Sequence, residues 1–576
     1  MTLEGRVTRF VAALVLSFSF ACLPCRAQSE APKLRLPTTV RPLRYSADLR
    51  MTPGEDQFTG SIAIELEISE PVPTVWVHGR SLVFEKATFR IAGRDEPAQA
   101  TPASDDFVAF TTGSILPAGH ATLQIAYSGD VSRTLTDGAF QQQRGKDWYI
   151  FTKFEPVTAR RVFPCFDEPS FKVPWQLTLH VPKDLKAFSN TAVLSEKDET
   201  NGMKVVRFEE TKPLPSYLVA FAVGPFDVVE TDVVGKNRRP SRIIVPRGRA
   251  TEAAYAASVT PKLIEMLEDY FGTPYPYEKL DQIVVPQTTA WGAMENAGLI
   301  AYGDFLLSPK EQDTDLQQRW RAGAMEHEMS HQWFGDLVTT AWWDDIWLNE
   351  AFASWLSSKL LNEWRPEWNI KADAAGLLYV MRSDSLTTAR KIRQPIEAPG
   401  DIANAFDGIT YGKGEAVIGM FENYMGPKEF QSAIRLYLRR HSWRNATSAD
   451  LLAALDSVSG QGVGVAFSTF LNQVGFPVIS VKLSCPEIAA VRPPATVVTH
   501  LELEQLRFLP AGSAGATDAV WSVPVCATWG DDAGTHRQCM LLTKPSDHFD
   551  LKGAKGCPAW FFGASAGWSM WRRPPG

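Results

Sequence analysis

Two histidines four residues apart, His327 and His331 in "HEMSH", with Glu328 beside the first, are the residues of this chain best suited to metal chemistry. Positions four apart share one face of an α-helix, so both imidazoles can reach a single ion. Glu328 falls roughly a hundred degrees round such a helix, within reach of a water on the ion but not of the ion itself. A catalytic zinc takes three protein ligands and keeps a fourth position open for water. Glu350 is the candidate third ligand. It stands nineteen residues after His331, near the start of the next amphipathic segment, where a helix–loop–helix would bring it alongside. Only nine histidines occur in the chain, which favours one zinc ion per chain over two histidines on a solvated helix.

These residues, in "HEMSHQWFGDLV" followed by "WLNEAFASW", resemble the gluzincin aminopeptidases, the group of aminopeptidase N and leukotriene hydrolase. That family binds zinc through His-Glu-x-x-His and a glutamate after eighteen intervening residues, and His331 to Glu350 matches the spacing. "WGAMENAGLI" is similar to the family's Gly-x-Met-Glu-Asn motif, falling on Gly292, Ala293, Met294, Glu295 and Asn296. "FEPVTARRVFPCFDEPSFK" is similar to the segment around its Pro-Cys-Phe-Asp-Glu-Pro stretch, and "ITYGKGEAV" to the stretch bearing its catalytic tyrosine, here Tyr411. The resemblance runs from about residue 35 to the C-terminus.

The resemblance implies a zinc aminopeptidase acting on peptides with a free N-terminus. His327, His331 and Glu350 would be the ligands and Glu328 the general base. An enzyme that removes one terminal residue must recognise an ammonium, and charge-assisted hydrogen bonds from buried carboxylates do that well. Glu295 is the implied principal anchor and Glu155 the second. Gly292, Ala293, Met294 and Asn296 are implied substrate contacts. Tyr411 would donate its hydroxyl to the carbonyl oxygen as charge develops there. Lys153 stands where relatives often have glutamine, near the pocket for the first side chain, and Ala351 where glycine is common. Asn349, Asp167, Arg160 and Lys413 lie in family-like motifs and are read as structural support, and Cys165 as a buried thiol. A zinc endopeptidase would need no ammonium anchor. A catalytically inactive peptide-binding paralogue would not need the full set of ligands and base found here.

These groups must be positioned by more than one folding unit, since 576 residues exceed a single core and suggest three or so domains. Residues 30–225 read as strands: "GSIAIELEIS" and "WQLTLHVP" alternate apolar and polar residues between Pro, Gly and Asp turns. Residues 226–476 read as mainly helical, with apolar residues three and four apart in "LQQRWRAGAMEHEMSHQWF" and "NEAFASWLSSKLLNEW". Strand patterns return over residues 477–576. The fold class is therefore multidomain α+β. The resemblance implies an N-terminal β-sandwich, a thermolysin-like catalytic domain and a small C-terminal β-sandwich. Many relatives continue into a helical domain that covers the site. This chain ends at "GWSMWRRPPG", so an uncovered cleft is expected, with an apolar rim that leaves a homo-oligomer open.

Composition is that of an ordinary globular protein, 45% apolar and 21% charged, and the net charge of −7 offers no basic surface for nucleic acid or an anionic membrane. Arg6 and Arg9, the run "FVAALVLSFSFACLPC" and a small-residue site near Ala27 read as a secretory signal peptide over residues 1–27. The mature protein is then expected to be secreted or periplasmic, with no membrane anchor, and Cys22 and Cys25 leave with the peptide. Of the later cysteines, Cys526 and Cys539 could face each other across the Gly-Asp turn of "VPVCATWGDDAGTHRQCMLL", which leaves Cys485 with Cys557. Four buried thiols are the alternative.

Overall fold

A computed structural model describes residues 30–308, 314–370, 374–460, 462–485, 499–532, 534–554, 556–564 and 569–572. The expected signal peptide, residues 1–27, lies outside the described residues.

From Val40 to Gly224 the chain is built of strands. The alternation read from the sequence is present in Gln57–Ile68, where Phe58, Ile62, Ile64, Leu66 and Ile68 turn inward. That strand pairs antiparallel with Val40–Arg50 and Gly119–Asp130 in the middle of a ten-stranded sheet. A second sheet of four strands runs Lys186–Ser189, Phe221–Gly224, Asp147–Lys153, Gly138–Arg144. Asp147–Lys153 ends at Lys153, and the turn that follows carries Glu155. Phe154 and Phe163 pack edge-to-face beside this turn with ring centroids 5.7 Å apart. Arg160 and Asp167 close it with a buried ion pair of 2.8 Å.

The stretch read as mainly helical opens with a five-stranded mixed sheet, in the order Phe226–Glu230, Ser241–Pro246, Leu280–Val285, Leu299–Gly303, Ala293–Met294. Leu280–Val285 and Leu299–Gly303 are buried at every position. Strands covered on both faces lack the alternation that marks a half-buried strand. Ala293–Met294 is an antiparallel edge paired with Leu299–Gly303.

The helices are α1 (Ala254–Phe271), α2 (Asp315–His331), α3 (Trp347–Trp364), α4 (Ala374–Asp384), α5 (Pro399–Asn404), α6 (Gly414–Met425), α7 (Pro427–His441), α8 (Ser448–Ser459) and α9 (Val463–Leu471). α2 begins at a capping box in which the Thr314 side chain accepts from the Gln317 N–H and the Gln317 side chain accepts from the Thr314 N–H. Such a cap stabilises a helix by about 1 kcal/mol. Beyond the end of α2, Phe334 stacks on Phe352 of α3 with centroids 3.6 Å apart. This stacking fixes the helix that carries His327 and His331 against the helix that carries Glu350. No helix among the described residues is long and apolar enough to cross a membrane.

After α9 the chain returns to strands, in a four-stranded and a three-stranded sheet. Cys526 and Cys539 are paired directly across strands Val523–Asp531 and Gly534–Leu542, and they form a disulfide. Cys485 and Cys557 form the second.

Candidate functional site

His327 Nε2 and His331 Nε2 lie 3.0 Å apart, and Glu350 Oε2 lies 3.4 and 3.5 Å from them respectively. Tetrahedral bonds of ~2.1 Å place neighbouring ligands about 3.4 Å apart, so these three atoms fit the base of a zinc site. The tautomer of His331 agrees. Its Nδ1 is 3.0 Å from the Phe334 carbonyl, which can only accept, so Nδ1 carries a proton and Nε2 is the nitrogen free to offer a lone pair once the ring is neutral. Gly335 makes this arrangement possible. It sits at φ +128°, and a Cβ there would come within 3.4 Å of His331 Nδ1 and 3.3 Å of Asn349 Nδ2.

The three atoms border a cleft of about 1180 Å³ into which Glu155, Glu295, Glu328 and Glu350 all face. One oxygen each of Glu155, Glu295 and Glu350 lie within 4.8 Å of one another, and ligating atoms of Glu295, Glu328 and His331 do likewise. Burial pushes the Glu155 carboxyl well up, and the Glu295 charge adds to it. Burial also raises Glu295, opposed by His331 and reinforced by Glu350. For Glu328 burial again leads, with His331 opposing and Glu295 and Glu350 reinforcing. Glu350 alone moves down, because His331 and His327 outweigh its burial. So much buried negative charge calls for cations. Lys153 supplies one: its ammonium donates to the Glu155 carbonyl and stands 3.9 Å from Glu155 Oε2. Glu155 Oε1 and Glu295 Oε1 nonetheless remain buried without a hydrogen-bond partner among the described residues. Two lone carboxylate oxygens beside a metal triad can hold a substrate ammonium.

The residues singled out in the sequence separate into those at the cleft and those behind it. Gly292, Ala293, Glu295, Lys153, Glu155, Glu328 and Tyr411 line it with the three ligands. Met294 and Asn296 are buried and do not line it. Successive residues of an edge strand point to opposite sides, so Met294 turns inward where Ala293 faces the cleft. Tyr411 lies on a π-helical turn, Ile409–Lys413, that runs into α6, a distortion frequent at functional sites. Its ring centroid is 6.1 Å from that of His327, with the planes 22° apart. Burial raises the phenol well up, and Glu350, Glu155 and Glu295 reinforce the shift, so the hydroxyl keeps its proton and can donate it in a hydrogen bond. The Cys165 thiol is raised by burial and by Asp167 and is no nucleophile.

Three residues at the site went unmarked in the sequence reading. Gln332 donates to the Glu295 carbonyl at 2.7 Å and to Asp336 Oδ2 at 2.9 Å, and its Oε1 accepts from the Gly298 N–H and the Tyr275 hydroxyl, both at 3.1 Å. It ties the segment just after the edge strand, which bears Glu295, to the end of α2. Ser354 Oγ lies 3.4 Å from His327 Nδ1. Its position four after Glu350 on the same helix face was a usable signal. Glu415 lines the cleft from α6, and nothing in its spacing announces that.

The Peptidase M1 N-terminal domain matches residues 41–218 and the Peptidase family M1 domain matches residues 255–470. Aminopeptidase M1 of Arabidopsis thaliana is 35% identical over 540 residues, covering 91% of this chain and 58% of the relative. Glutamyl aminopeptidase of Homo sapiens is 31% identical, covering 78% of this chain and 48% of the relative. Probable aminopeptidase 2 of Sulfurisphaera tokodaii is 33% identical, covering 78% of this chain and 54% of the relative. The chain thus spans about half to three fifths of the length of these relatives.

Proposed function

The chain belongs, over residues 41–218 and 255–470, to the M1 peptidase family, and from that premise we propose that it is a zinc aminopeptidase removing the N-terminal residue from peptides with a free amine. The observation that carries this is the pair of buried oxygens without a hydrogen-bond partner among the described residues, Glu155 Oε1 and Glu295 Oε1, next to the triad His327, His331 and Glu350. An endopeptidase has no use for buried anionic groups at that place.

His327, His331 and Glu350 would hold one zinc ion, which when bound supplies Lewis acidity for the scissile carbonyl and for water. The protein's own groups do the rest. Glu155 and Glu295 fix the substrate ammonium, so only the first peptide bond is brought to the reacting position. Glu328 takes the proton from the attacking water and returns it to the departing amine. Tyr411 donates a hydrogen bond to the carbonyl oxygen as negative charge grows there. Gln332 holds the backbone at Glu295 and touches no substrate. The two disulfides support an oxidising compartment, in keeping with export directed by residues 1–27. Mass spectrometry of an unblocked peptide during digestion tests the proposal. A ladder of products each shorter by one N-terminal residue is expected, and internal fragments alone would refute it.

A further inference from the structure

Every carboxylate of the cleft but one has a cationic partner or a task in the proposed reaction. Glu155 and Glu295 face the amine, Glu328 serves the water, Glu350 serves the metal, and Asp137 is paired with Arg161 at 2.8 Å. The remaining one is Glu415, second residue of α6, which lines the same cleft. Its carboxyl is raised by burial and held down only by a Ser358 hydrogen bond, with no cation acting on it among the described residues.

The route from the metal triad to Glu415 follows one face of α3. Glu350, Ser354, Ser358 and Leu361 are spaced four, four and three apart on that helix and all line the cleft. Ser354 and Ser358 therefore lie about 6 and 12 Å along it from Glu350. Ser354 reaches His327 at Nδ1, on the other side of the ring from the metal-facing Nε2. The facing positions of α2 are Gly323 and Ala324. A Cβ on Gly323 would just touch Leu361 Cδ1 at 4.0 Å, and the side chain missing there leaves a shallow slot in the cleft wall between the two helices. The ammonium anchors lie in the opposite direction, with Glu295 Oε1 3.9 Å from His331 Nδ1. A peptide whose amine sits at Glu155 and Glu295, and whose first carbonyl sits at the triad, has its second residue directed toward Ser354 and Ser358.

We infer that this slot receives the side chain of the second substrate residue, and that Glu415 at its end selects lysine or arginine there. The inference rests on the aminopeptidase reading. A long aliphatic stem covers Leu361 while its charged head reaches the carboxylate, as amphipathic side chains do. The resulting pair is partly desolvated, which strengthens it. An acidic second residue meets repulsion and loss of hydration together.

The test compares kcat/KM for two unblocked peptides that differ only in arginine or citrulline at the second position, since citrulline keeps the shape without the charge. Arginine is expected to be favoured by about tenfold or more, the range of one charge-assisted hydrogen bond. Glu415→Gln is expected to bring that ratio towards one. Equal cleavage of the two peptides by the unaltered protein, or a ratio that Glu415→Gln leaves unchanged, would overturn the inference alone. Resistance of both peptides would overturn the aminopeptidase reading along with it.

Discussion

Lys413 Nζ stands 3.0 Å from Asp384 Oδ2, and neither side chain is exposed to solvent at all. The same ammonium donates to the carbonyls of Gln473 and Gly475, while Asp384 Oδ1 accepts from the Gly475 N–H. Three segments are thus joined: α4, the π-helical turn bearing Tyr411, and the chain leading into strand Pro477–Ser484. Removing one partner of a buried pair strands the other, at a cost of about 3–5 kcal/mol. Lys413→Met is expected to lower stability by that amount in denaturant unfolding, and to slow turnover by loosening Tyr411. Adding Asp384→Leu should recover much of the loss. A change in the single variant below about 1 kcal/mol would contradict a buried, ionised pair.

Metal retention separates the roles of two glutamates. Glu350 is placed as a ligand and Glu328 as a base, so Glu328→Gln should keep one zinc per chain while losing turnover by about 10²-fold or more. Glu350→Ala should lose the metal itself, because two histidines alone make an incomplete site. Zinc content by atomic absorption, measured on both variants after dialysis, decides between them. The opposite pattern would reverse the assignment.

The acid side of the pH profile follows from the charges around Glu328. Its carboxyl is raised by burial, with His331 opposing and Glu295 and Glu350 reinforcing. A base works only as the carboxylate, so activity is present above the raised value and is lost as pH falls through it. Burial and the two neighbouring carboxylates push the acid limb of kcat/KM up while a bound zinc ion would pull it down, so the informative reading is how the limb moves when one carboxylate is removed. Glu295→Gln removes one reinforcing charge, which lets Glu328 ionise more readily and moves the limb to lower pH. The variant will also be slower overall. A limb that moved upward would mean that another group controls it.

The two disulfides close loops of very different length, 13 and 72 residues. Chain entropy assigns them about 3 and about 4.5 kcal/mol of stabilisation respectively. Removing Cys485–Cys557 by a double Cys→Ser change should cost more than removing Cys526–Cys539. Unfolding of each variant by denaturant measures this, and a reversed order would show that native packing outweighs loop length.

The candidate metal cluster was legible because its signal is local. Helical spacing alone puts His327 and His331 on one face, and histidine is scarce in the chain. The alternation of Gln57–Ile68 was legible for the same reason. Glu155 arrives from a separate sheet, so only the family resemblance could associate it with Glu295. The strands Leu280–Val285 and Leu299–Gly303 gave no period-two pattern because both faces are covered. The side on which Met294 falls depends on an edge pairing that the motif does not encode. Glu415 was invisible because its role depends on how α6 lies against the slot between α2 and α3, which is a property of tertiary packing.

The central claim is that Glu155 and Glu295 hold the substrate's terminal ammonium, and one matched pair of substrates tests it most directly. The zinc-loaded protein should be given a peptide with a free N-terminus and the same peptide acetylated there, and kcat/KM measured for both. Acetylation removes the cation and leaves two buried carboxylates unpaired, so cleavage of the blocked peptide should fall by about 10³-fold or more. Glu295→Ala should narrow that gap by slowing the free-amine peptide alone. Comparable cleavage of the free and acetylated peptides would contradict the assignment.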